Sequence, residues 1–150
     1  MLKQRMRIRK WLLGSLLLVN SAWACADIVV ITNLNNPADR LDNQEVRKVF
    51  LGRLHLYPAT DHEPLAIDHP QNSKSYRSFY DAVIGISPAK LKQYRAYYLF
   101  SGKGKIPFIA DSQEDVIRSV KQSTYAISYL LDPDQDTLKQ VKILYRQPSP

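Results

Sequence analysis

The sequence predicts an α/β fold in a single domain, with a mixed, largely parallel sheet flanked by helices. Three observations carry this. Short β-branched runs alternate with segments of helical periodicity along the chain, and each helical segment has its own start signal. The third is negative: no repeats, low-complexity linkers or composition breaks divide the region from Asp27 to Pro150.

The N-terminus reads differently from the rest. "MLKQRMRIRK" is basic and lacks acid, and "WLLGSLLLV" is apolar but short for a membrane span. Small residues follow at Ala22, Ala24 and Ala26. Residues 1–26 therefore read as a secretory signal peptide cleaved before Asp27, leaving residues 27–150 as the mature domain. Cys25 raises lipidation as an alternative, but Ala22, Trp23 and Ala24 make a poor lipobox. Once Cys25 leaves, neither a disulfide nor a thiolate metal site is available. The formal charge of +7 belongs mostly to this leader; residues 27–150 carry sixteen basic and fourteen acidic residues. No basic stripe of the kind nucleic acid requires remains.

"DIVVITN", residues 27–33, is a continuous β-branched run and predicts a buried first strand. "LDNQEVRKVFLG" predicts a helix with Asp42 as N-cap, Glu45 completing a capping box, Leu41 stapling Val46, and Gly52 past its end. "EPLAID", residues 63–68, is a second strand. In "DHPQNSKSYRSFYDAVIG", Tyr76, Phe79, Tyr80, Val83 and Ile84 recur at helical spacing after a cap at Asn72 or Ser73, and Gly85 ends the run. Ser87 and Pro88 open a further helix through Phe100. There Tyr94, Tyr97, Tyr98 and Phe100 are expected to pack in the core rather than form a ligand platform. Ser112 caps "QEDVIRSVK", and "TYAISYL" and "VKILYR" read as closing strands.

Several chemistries fail on spacing. "FSGKGKIP" lacks the interval and the following helix of a nucleotide-binding phosphate loop; it reads as a Gly-rich turn with Gly102 as a C-cap that adds N–H groups to an anion site at most. Pro58, Pro64 and Pro70 break up His55, His62 and His69, so no metal site is expected, and these histidines read as solvated loop residues. Ser73, His69 and Asp68 lack a nucleophile elbow, and neither an enzyme nor a cofactor is expected. What remains is a concentration of donors, Asn72, Ser73, Lys74, Ser75 and Arg77, at a helix start directly after a strand. Free N–H groups and the helix dipole favour an anion there. The bland alternative is a capped helix with Lys74 and Arg77 in solvent.

Taken in order, "LDNQEVRKVFLGRL", "EPLAID", "SKSYRSFYDAVIG", "LFSGKGKIP" and "DVIRSV...YAISYL" resemble the phosphate-binding periplasmic proteins of ABC transporters, in particular a short PstS-like group, from about Asp27 to Leu144. The resemblance implies a periplasmic-binding-protein-like domain equivalent to one lobe of the type II form, in a family whose members close two lobes on their ligand. It implies inorganic phosphate or a similar oxyanion as ligand and an inner-membrane permease as partner. Ser73, Ser75 and Arg77 would then be ligand contacts, with Asn72, Asp68 and Gly102 completing the candidate set. Asp68 stands where that family usually has a basic residue. It would either accept a proton from monohydrogen phosphate and so reject sulfate, or repel any anion. A module that keeps the fold and has lost the ligand is the alternative implied by the same residues.

Overall fold

The computed structural model describes residues 26–102 and 104–148. Residues 1–25 of the expected signal peptide, Cys25 among them, lie outside these residues. Five strands form one sheet in the order β3-β2-β4-β1-β5: β1 Ile28–Thr32, β2 Leu65–Asp68, β3 Phe108–Ile109, β4 Ala126–Leu131 and β5 Lys142–Arg146. β2 pairs in parallel with both β3 and β4, while β1 runs antiparallel to β4 and β5. Four strands thus share one direction, with β1 inserted against them.

β1 and β4 are buried almost end to end because both of their faces are covered, and their polar residues Thr32 and Ser128 bond to backbone carbonyls. Ile28 and Val30 of β1 and Ile127 and Tyr129 of β4 face one core; Val29, Ile31, Ala126 and Leu130 face the other. The first core is closed by α1 (Asn43–Phe50), by α2 (Lys74–Phe79) and by the π-helical segment Tyr80–Ile84 that continues α2. α4 (Gln113–Gln122) closes the second through Val116 and Val120, with Leu138 of the one-turn helix α5 (Gln135–Leu138) packed alongside.

The local signals act as read. Asp42 and Glu45 form the capping box of α1, and the stapling pair Leu41 and Val46 is buried. Ser112 caps α4. Gly52 has φ 72°, and the Lys105 backbone lies so close that no side chain would fit there. Phe79 of α2 stacks on Tyr129 of β4 at 3.7 Å between ring centroids, with Phe50 of α1 edge-on at 4.7 Å from Phe79. This cluster fixes where α2 begins relative to the strand ends.

Two expectations need correction. His69 is a core residue, only 1% exposed, rather than a solvated one. The aromatics of α3 (Pro88–Ser101) do not all join the core: Tyr94 and Tyr98 are half-buried on its inner side, whereas Tyr97 and Phe100 are exposed. β3 and α5 had no counterpart in the sequence reading.

Candidate functional site

The chain leaves the sheet at Asp68, turns through Pro70 and enters α2 at Ser73. Ser73 is extended (φ −74°, ψ 155°), and its hydroxyl accepts a bond from the Tyr76 N–H at 3.1 Å, so Ser73 rather than Asn72 is the N-cap. Its own N–H donates to the Pro70 carbonyl, and the Arg77 N–H returns to the Ser73 carbonyl at 3.3 Å. The N–H groups of Lys74 and Ser75 have no acceptor among the described residues. The half-buried Ser75 hydroxyl has none either, and Lys74 is exposed beside it. No acidic residue occupies the first turn. α4, which follows the parallel strand β3, opens instead with Glu114 and Asp115, which disfavour an anion.

Arg77 and Asn72 are both exposed and are joined to each other. Arg77 Nη1 donates to the Asn72 carbonyl at 2.8 Å, folding the guanidinium back over the turn. Gly102 stands apart. It ends α3 with φ 66° and open space around it, and three residues on, Lys105 pairs with Glu63, just before β2 begins. Ser73 follows the opposite end of β2, and no contact among the described residues joins Gly102 to it.

Asp68 lies beneath the turn with no exposed surface. The Tyr80 hydroxyl donates to its carboxylate at 2.9 Å and the Tyr129 hydroxyl at 3.0 Å, while Arg95 Nη2 of α3 pairs with it at 2.8 Å. Arg95 also donates to the Tyr76 hydroxyl at 3.3 Å and lies 5.2 Å from the Tyr80 ring centre, although its Nε has no partner among the described residues. Burial pushes the Asp68 carboxyl above its usual range, with the Arg95 charge pulling against it. The Tyr80 and Tyr129 phenols are likewise raised by burial and by the adjacent carboxylate. An anion arriving at the surface reaches neither Asp68 oxygen in this arrangement.

His69 continues the same support. Since a carbonyl can only accept, its Nε2 carries the proton and donates to the Tyr129 carbonyl at 2.7 Å. Burial lowers its pKa, so the ring is held neutral. The sequence reading missed Arg95, although it is the one cation among Leu91, Tyr94 and Tyr98 on the inner side of α3. A charge on a core-facing helix stripe requires an opposite charge, and Asp68 closing an apolar strand was the complementary clue.

No family model matches the chain, and no curated protein matches it. Among solved structures, its fold is similar to PstS from Borrelia burgdorferi (TM-score 0.61, 16% identity, covering 79% of this chain and 47% of that one). A putative phosphate ABC transporter substrate-binding protein with bound phosphate from Clostridium perfringens is similar too (0.60, 17%, 79% and 44%). So is an ABC-type phosphate transport receptor from Vibrio cholerae (0.59, 14%, 79% and 46%). The chain spans less than half the length of each, and these identities establish a shared fold.

Proposed function

We propose that this chain is a periplasmic oxyanion-binding domain, with phosphate as its ligand at the Ser73 helix start. In this reading the protein serves an inner-membrane ABC permease, is exported by cleavage of residues 1–26, and catalyses no reaction. The observation that carries the reading is the pair of unpartnered N–H groups at Lys74 and Ser75, with the Ser75 hydroxyl and the Lys74 ammonium beside them, at the exit of a parallel strand. Two backbone donors, a hydroxyl and a cation without opposing acid match the demands of a tetrahedral oxyanion. Similarity of fold to proteins named for phosphate transport adds support. Arg77 joins by swinging from the Asn72 carbonyl to the ligand. Asp68 contributes by holding the turn rather than by touching the anion.

The experiment is amide chemical-shift mapping with added phosphate. Shifts that saturate and centre on Lys74, Ser75 and Arg77 are expected. Uniform small shifts without saturation would reject the site. One observation favours a second reading, in which the fold persists as a periplasmic interaction or sensory module without ligand: Arg77 is already engaged with Asn72. In that case phosphate leaves the Arg77 side-chain resonance where it is.

A further inference from the structure

α3 carries large apolar side chains on both sides, and only one side is covered. Leu91, Tyr94, Arg95 and Tyr98 turn toward the domain. Ala89, Gln93, Ala96 and Phe100, spaced by four, three and four residues, form the middle of the opposite side. Lys90 and Tyr97 run along one flank of that stripe, and Lys92 and Leu99 along the other. Phe100 is 89% exposed, Tyr97 63% and Leu99 62%. Here the outward side forms a ridge with a projecting ring.

Charge identifies what would cover it. From residue 82 to residue 110 there is no Asp or Glu, while Lys90, Lys92, Arg95, Lys103 and Lys105 lie in that stretch. The remainder of residues 27–150 carries eleven basic and fourteen acidic residues; within the stretch Arg95 is paired with buried Asp68 and Lys105 with Glu63, which leaves Lys90 and Lys92 as its unpaired cations among the described residues. Lys90 and Lys92, and Arg53 stacked near Tyr94 and Tyr98, have no carboxylate partner among the described residues. Two copies of this face brought together would oppose their lysines.

We propose that the outward side of α3 docks in the plane of an anionic lipid surface, with Phe100, Leu99 and Tyr97 entering the headgroup boundary and Lys90 and Lys92 at the level of the lipid phosphates. Aromatic and aliphatic side chains flanked by lysines are the composition of an interfacial helix. Each lysine near such a surface adds attraction that salt screens, and the acid excess elsewhere orients the molecule. No helix among the described residues is long and apolar enough to cross a membrane, so the contact is peripheral. The inference is independent of the oxyanion site.

The test is co-sedimentation of the chain from Asp27 to Pro150, which contains every described element of the fold, with vesicles of phosphatidylglycerol and phosphatidylcholine in equal parts and with phosphatidylcholine alone. Binding to the anionic vesicles at low salt and its loss at high salt are expected. Phe100→Ser should lower the partition coefficient roughly tenfold, and Lys90→Gln with Lys92→Gln at least as much. Because Trp11 and Trp23 both precede Asp27, Phe100→Trp supplies a sole tryptophan whose emission should shift to the blue on anionic vesicles. Equal partition into both vesicle types would overturn the proposal, as would full binding by Phe100→Ser. Two other results would reassign the face: a concentration-dependent dimer abolished by Phe100→Ser, or saturable binding of polyglutamate lost in that variant without any vesicle binding.

Discussion

Asp68 and Ser75 are seven residues apart at the same strand exit, yet their polar groups are in opposite situations. The Asp68 carboxylate is enclosed and bonded to two phenols and a guanidinium from three other elements. The Ser75 hydroxyl and the two N–H groups beside it have no partner among the described residues. Fully satisfied polar groups in a core rigidify it, whereas unsatisfied donors at a surface are available to a ligand. The contrast teaches that the charge most conspicuous in the sequence is part of the support, and that the donors of the proposed oxyanion site come seven residues later.

Breaking the support should cost most. Arg95→Met leaves Asp68 buried without its counter-charge, and urea denaturation should show a loss of about 3 kcal/mol, the lower end for a buried pair because Arg95 is partly exposed. Adding Asp68→Asn should restore part of it, since the unpaired charge is then gone. Ser75→Ala, by contrast, should leave the urea midpoint nearly unchanged and weaken phosphate binding about tenfold, the lower end for a charge-assisted bond at an open site. Arg77→Ala should do the same if the guanidinium leaves Asn72 for the anion.

The pH dependence sharpens the distinction further. His69 is held neutral in the fold by burial, so below its ordinary pKa of about 6.5 the unfolded chain binds the extra proton and the folded chain does not. Stability should therefore be full above that pH and fall as the pH drops through it, with a limiting slope of about 1.4 kcal/mol per pH unit. His69→Gln should flatten the slope between pH 7 and 5. A slope unchanged in that variant would show that His69 is not the group responsible. The smallest effect belongs to the cap: Ser73→Ala should cost about 1 kcal/mol of stability, because it frees the Tyr76 N–H. Circular dichroism melts of Ser73→Ala and Ser75→Ala side by side would separate capping from binding.

The legible parts of the molecule are those written locally. The capping box at Asp42, the caps at Ser73, Ser87 and Ser112 and the twofold-buried run of β1 each depend on residues within one turn or one strand, and all are found. β3 was illegible because only Phe108 and Ile109 pair, behind a Gly-rich turn, and α5 because a single turn has no periodicity. The Asp68 centre was hidden for a different reason. Its partner Arg95 is separated from it by 27 residues, and the pairing exists only once α3 has docked. α3 itself is ambiguous in sequence, since aromatics on both sides give no indication of which side is inner. The helix start at Ser73 was readable as a donor cluster, but the isolation of Gly102 from it depends on which end of β2 each one lies beside.

The most direct test of the oxyanion site is calorimetric titration of the chain from Asp27 with phosphate, repeated on Ser75→Ala. Saturable heat at millimolar phosphate is predicted for the unsubstituted chain, with an affinity about tenfold lower in the variant at an unchanged melting temperature. Absence of heat in the unsubstituted chain, or identical isotherms for the two, would contradict the account.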